Sequence, residues 1–208
     1  MGINEFFSRQ ARKPSGLFGR IVMPRMFDLG HTSINELVKR QLTLNPGDHV
    51  LEIGFGSGKL LKDIAGQMQS GVVEGVDFSE AMFSTAGKRL KNLIESNRVI
   101  LKCDDFMNAT YEDNSFDIIY SLNTIYFWPD PDECLSKMYR ILKPGGRLIL
   151  AFGDKEQMQK MHMESGIFSL YSTDEVSELL TRNGFKSEIN ISSNGKKSTR
   201  CHCVRAEK

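Results

Sequence analysis

Residues 48–59 read D-H-V-L-E-I-G-F-G-S-G-K. Val50, Leu51 and Ile53 form a short apolar run that ends in Gly54, Gly56 and Gly58, and a helical pattern begins at Leu60 and Leu61. Strand, glycine-rich turn and helix in that order bring a nucleotide-like ligand against bare backbone, because alternate glycines remove side chains and allow positive φ. Three ligand classes use such turns. A dinucleotide-binding loop needs its third glycine where Lys59 stands. A phosphate-binding P-loop needs glycine in place of Ile53, and Ser or Thr in place of Leu60. What remains is an acid, Glu52, followed by glycines in strict alternation, or a tight turn with no ligand at all.

The chain downstream adds to the first of these. A second strand, Val72 to Val76, ends at Asp77. An acid at a strand end, about 20 residues past a glycine loop, is placed to accept from both hydroxyls of a ribose. A lone Asp there can also cap a helix, but Ser79, with Met82 behind it, can do that without Asp77. A third strand, Val99 to Leu101, runs into Cys103-Asp104-Asp105-Phe106, and a fourth is announced by E-D-N-S-F-D-I-I-Y-S at 112–121. R-I-L-K-P-G-G-R-L-I-L at 140–150 reads as a helix end, a turn and a fifth strand. Alternating strand and helix means a doubly wound parallel sheet, with ligands outside the carboxyl ends of its strands.

In order and rough spacing these motifs resemble the class I S-adenosylmethionine (SAM) dependent methyltransferases, tightly over about residues 48–152 and more weakly to the end. The small-molecule branch, with quinone and lipid methyltransferases, is the most similar. The resemblance implies an α/β fold with a mostly parallel seven-stranded sheet, Rossmann-like, closed by an antiparallel C-terminal hairpin. It implies an N-terminal helical cap or lid at 1–45 and a SAM-binding domain at 46–208, compact as one domain. It also implies roles. Gly54, Phe55, Gly56 and Gly58 would admit the methionine and ribose portions, and Glu52 would orient the loop and the donor's amino group. Asp77 would hold the ribose hydroxyls and Phe78 would lie on the adenine. Asp104 would accept from the adenine amino group, with Asp105 and Phe106 beside it, and Ser121 would face the methionine part. Asn123, Tyr126, Phe127 and Trp128, where the chain departs from the family's usual residues, would shape the acceptor pocket. Three aromatics in a row suit an apolar or cationic acceptor, or simply pack around Pro129.

The expected activity is methyl transfer from SAM to a small-molecule or lipid-like acceptor by in-line displacement, leaving S-adenosylhomocysteine. A different class also fits: a SAM-binding sensor or partner subunit without turnover. The general base is not legible; His31, Tyr126 and His162 are the candidates. Cys201 and Cys203 put both thiols on one face of a strand. With Cys103 and Cys134 they resemble, distantly, the thiols of arsenite methyltransferases. No second Cys or His pair has zinc-ligand spacing, so no metal is expected.

With 208 residues, 40% hydrophobic and 25% charged, the composition is that of an ordinary globular chain. No apolar run marks a signal peptide or a membrane span, so the cytoplasm is the expected location. The net charge of +1 conceals a gradient: residues 1–40 carry seven Lys or Arg against three acids, and residues 185–208 six against two. Basic ends on an acidic centre can meet an anionic substrate or a membrane surface, or serve only solubility. Nothing resembles the basic stripe of a nucleic-acid binder. Oligomeric state is not legible. A helix is expected from Thr32 or Ser33, with Ile34, Leu37, Val38 and Leu42 on one face, and a helix from about Ser79 to Asn92. Met158, Met161 and Met163 read as a helix face or a pliable pocket wall. Ser172 opens another helix, and Asn194-Gly195 is a hairpin signal between two last strands.

Overall fold

The computed structural model describes residues 10, 12–14, 16, 22, 23, 32–160, 168–194 and 200–208. Its described elements run α1 (Thr32–Gln41), β1 (His49–Ile53), α2 (Lys59–Gln67), β2 (Val72–Asp77), α3 (Glu80–Arg89), α4 (Lys91–Glu95), β3 (Val99–Cys103), β4 (Phe116–Leu122), α5 (Pro131–Ile141), β5 (Leu142–Gly153), α6 (Lys155–Lys160), α7 (Thr173–Arg182), β6 (Lys186–Asn194) and β7 (Cys201–Glu207). One seven-stranded sheet has the order β3-β2-β1-β4-β5-β7-β6. The first five strands in that order are parallel, and β7 enters antiparallel between β5 and β6. This is the doubly wound sheet with a C-terminal antiparallel pair that the sequence leads one to expect. Residues 195–199, which join that pair, lie outside the described residues.

Each face of the sheet is covered. Ile34, Leu37 and Val38 of α1 pack with Leu61 and Ile64 of α2 on Val50, Ile118 and Tyr120. Leu135, Met138 and Ile141 of α5 pack with Val176, Leu179 and Leu180 of α7 on Leu51, Ile119 and Leu148. Strands buried on both sides explain the unbroken apolar runs. Cys201 and Cys203 do share one face of β7, and both are buried core thiols.

Helix ends are closed by identifiable groups. Ser79 accepts from the Met82 N–H at the start of α3. Asp130 accepts from the N–H of Asp132 and Glu133 ahead of Pro131. Ser172 and Glu175 form a reciprocal capping box on α7. Arg98 donates to the carbonyls of Ala65, Met68 and Gly71, which gives the Ala65 carbonyl in the last turn of α2 a partner and ties the helix end to the chain that enters β2.

Helix α1 starts at Thr32, one of the two positions expected. Two boundaries differ from expectation. The helix expected over 79–92 divides at Leu90 into α3 and α4, where Leu90 leaves helical geometry while its side chain packs toward Gly58. The turn at Lys143–Gly146 lies within β5 as a bulge, because Phe116 pairs with Leu142 and Ile118 next with Arg147.

Candidate active site

Strand order reverses between β1 and β4, and their carboxyl ends open on a cavity of about 370 Å³. Ligands in such sheets bind at this switch point. The loop after β1 forms one wall. Gly54 and Gly56 have φ of 75° and 52°, and both line the cavity. A Cβ on Gly54 would stand 2.4 Å from Thr124 Cγ2, so glycine lets the loops after β1 and β4 meet. Gly58 is also left-handed, at 72°, but it is turned away from the cavity. A Cβ there would meet Ala86 Cβ and Leu90 Cδ1, each at 2.9 Å. Its glycine serves the packing of α2 against α3.

Asp77 holds the loop from the next strand. Its Oδ2 accepts from the Gly56 N–H at 2.8 Å and its Oδ1 from the Ser79 N–H at 2.9 Å. Asp77 as a residue is 8% exposed. Burial pushes its pKa up to about 6, against the pull of the Ser79 and Gly56 N–H groups. Glu52, 3% exposed, also lines the cavity and accepts from the Tyr120 hydroxyl at 2.9 Å. Burial raises its pKa well above the carboxylate range; the Tyr120 bond opposes this and the Asp77 charge adds to it.

The loop after β3 brings Asp104, Asp105 and Phe106 to the rim. Phe78 joins them, and Lys13 sits over its ring at 5.4 Å. Beyond these groups the wall becomes apolar. Tyr126 and Phe127 meet edge to face at 6.1 Å, and Phe127 lies 4.8 Å from Phe168. Trp128, Pro129, Met107, Cys134 and Met158 complete that end. Tyr126 Oη accepts from the Gly153 N–H and donates to Asn123 Oδ1 at 3.3 Å. Burial raises its pKa, so it is neutral and already bonded, which is wrong for a general base. Burial likewise pushes the Cys134 thiol up to about 12.

Glycine loop, buried acid and rim acids surround one cavity, and the comparisons with known proteins agree. Residues 51–150 match the family described as a methyltransferase domain. Over these residues the chain is a methyltransferase domain of the class I S-adenosylmethionine-dependent kind. Phosphoethanolamine N-methyltransferase 2 of Caenorhabditis elegans is 30% identical over 162 residues, 75% of this chain and 36% of that protein. A demethylmenaquinone methyltransferase of Lactobacillus johnsonii is 34% identical over 113 residues, 52% of this chain and 45% of that protein. The chain thus spans less than half the length of these two curated relatives. A SAM-dependent methyltransferase from Thermotoga maritima, 26% identical, superposes with a TM-score of 0.71 over 92% of this chain and 97% of that one.

For a SAM-methyltransferase cavity the residues present are a fitting set: bare backbone at Gly54 and Gly56, acceptors at Asp77 and Asp104, and flat apolar surface at Phe78 and Phe106. Of the residues that the family resemblance singles out, Glu52, Gly54, Phe55, Gly56, Asp77, Phe78, Asp104, Asp105, Phe106, Asn123, Tyr126, Phe127 and Trp128 line the cavity. Gly58 and Ser121 are not on its lining. The Ser121 hydroxyl donates to the Ile53 carbonyl at 2.8 Å and meets Thr124 Oγ1, tying the ends of β4 and β1 from below. His31 and His162 lie outside the described residues, as do Met161 and Met163. Sequence reasoning missed Arg12, Pro14, Asn35, Thr124, Met107 and Phe168 on the lining. The Pro14 carbonyl accepts from Ser79 Oγ at 2.8 Å, which brings the N-terminal segment to the site. No local signal marks such a contact.

Proposed function

We propose that this chain binds SAM with its adenosyl part between the glycine loop, Asp77 and the Asp104–Phe106 rim, and methylates an uncharged, largely apolar small molecule held against Tyr126, Phe127 and Trp128. One observation carries this reading: a single cavity is lined both by glycine backbone and acids and by aromatic and thioether side chains, with Tyr126, Phe127 and Phe168 in mutual contact. Bound SAM would supply a methyl group already activated on a positive sulfur. The chain's own residues then orient, align and exclude water, which contributes much of the barrier lowering in such displacements. Asp77 accepts from the ribose hydroxyls, Asp104 from the adenine amino group, and Glu52 stiffens the loop from beneath. Gly58 and Ser121 act by packing.

The relatives named for phosphoethanolamine and for demethylmenaquinone bracket the choice of acceptor. An end with Tyr126 and Cys134 neutral favours the second kind of molecule. The described cations on the lining, Arg12 and Lys59, come from chain beside the donor end. Residues 1–45 contribute Arg12, Pro14 and Asn35 to one side of the cavity, which supports their role as a cap. Among the described residues no helix is long and apolar enough to cross a membrane. We place the protein in the cytoplasm, with a peripheral lipid contact through its basic N-terminal segment. Co-sedimentation with anionic vesicles at low salt tests that contact, and absence of binding removes it.

Calorimetric titration with SAM, followed by a screen of acceptors with labelled methyl, tests the main reading. Saturable binding and label in an apolar acceptor are expected. No binding at millimolar SAM overturns it, and tight binding without transfer to any acceptor pool leaves the sensor or partner-subunit role instead.

A further inference from the structure

The loop that follows β3 carries four residues of the cavity lining, yet its own backbone needs an outside partner. Within the loop, Asp105 organises the N–H groups. Its Oδ1 accepts from Met107 at 2.9 Å, and its carbonyl accepts from Asn108 at 3.0 Å and Ala109 at 2.9 Å. The turn this makes aims the carbonyls of Phe106, Met107 and Ala109 at one point. Lys137 of α5 fills that point. Its Nζ donates to the three oxygens at 2.5, 3.0 and 2.6 Å, which matches the three hydrogens of an ammonium group. The same Nζ lies 4.8 Å from the centre of the Phe106 ring. Lys137 does not line the cavity, whereas Asp104, Phe106 and Met107 do.

We infer that Lys137 is a positioning residue that holds the Asp104–Ala109 loop in the form that selects adenine. Three converging carbonyl dipoles repel one another, and a half-buried cation between them removes the repulsion and ties the loop to α5. Without it the three carbonyls lose their shared donor, and the turn beyond Asp104, whose N–H donates to the Asp77 carbonyl at 3.2 Å, is freer to move relative to that residue. Arginine is a poor substitute, because its planar fork cannot converge on three oxygens around one nitrogen. The inference rests on the SAM reading above.

The test is calorimetric titration of wild type, Lys137→Met and Lys137→Arg with S-adenosylhomocysteine and with S-inosylhomocysteine, which carries oxygen in place of the adenine amino group. Wild type is expected to prefer the adenine ligand. In Lys137→Met the adenine ligand should bind about tenfold weaker or worse, the scale of lost bonds to a charged group, with the inosine ligand changed less than about threefold. The preference then collapses. Should Lys137→Met fail to fold, Lys137→Arg is expected to show the same collapse, and an intact preference in that folded variant overturns the inference. So does equal weakening of both ligands, the mark of a merely structural role, or a wild type without preference. Failure of wild type to bind S-adenosylhomocysteine at all would instead overturn the SAM reading.

Discussion

Asp77 shows how one side chain joins loop, ligand site and pH. Its burial disfavours the carboxylate, and the Gly56 and Ser79 N–H groups only partly restore it. At pH 5, one unit below its pKa of about 6, roughly one molecule in ten keeps it ionised. A ribose bound through both hydroxyls needs the ionised form. SAM affinity is therefore expected to fall about tenfold between pH 7.5 and pH 5. In Asp77→Asn binding should be weaker by about 1.5 kcal/mol at pH 7.5 and flat over that range. A wild-type affinity independent of pH would remove Asp77 from the site. Glu52 gives a second prediction. Tyr120→Phe keeps a fully buried ring but takes away the hydroxyl that donates to Glu52 among the described residues. Urea denaturation should show a loss of about 1 to 3 kcal/mol, the range for a buried polar group deprived of its partner.

At the scale of elements, the glycine loop divides its labour. Gly54 and Gly56 face the cavity, while Gly58 starts α2 and accommodates α3. Gly58→Ala places a side chain in left-handed backbone and against Ala86 and Leu90. It should cost about 1 to 3 kcal/mol of stability, read as a lower urea midpoint. The spacing of glycines in the sequence marks all three alike; only the approach of α3 separates them. On α7 the capping box is legible in the sequence, with Ser172 before Thr173-Asp174-Glu175. Ser172→Ala should cost about 1 kcal/mol. A change below a few tenths in the urea midpoint energy would mean that tertiary packing against α5 and β7 holds the helix without its cap.

For the molecule as a whole, its acids act in two opposing groups. In Asp77 and Glu52 burial raises the pKa, so the folded state holds protons that the unfolded chain has released. Their contribution to stability rises as pH falls from above 6 toward 4, since ionising them in the fold is unfavourable. In Glu74 burial is outweighed by hydrogen bonds from His49 and Lys102, and in Asp117 by the His49 N–H and Lys143; both pKa values are lowered. Their contribution is full above the unfolded carboxylate range and lost as pH falls through their lowered values. Free protein should thus be most stable between about pH 4 and 6, and saturating S-adenosylhomocysteine should move the maximum upward by favouring ionised Asp77. Urea midpoints across pH, with and without ligand, check this; a free protein that gains stability steadily from pH 5 to 7 contradicts it. The sequence by itself determined the succession of strands and helices along the chain, the glycine loop and the acids at strand ends. These are local: alternating period, turn chemistry and a fixed distance from loop to acid need only neighbouring residues. Only the tertiary structure decided that Gly58 and Ser121 stand off the cavity, that Phe168 and Pro14 belong beside it, and that Lys137 gathers three carbonyls. Those facts depend on which distant segments the sheet order brings together, and side-chain direction at a contact is set by packing from both partners, which no single stretch of chain contains.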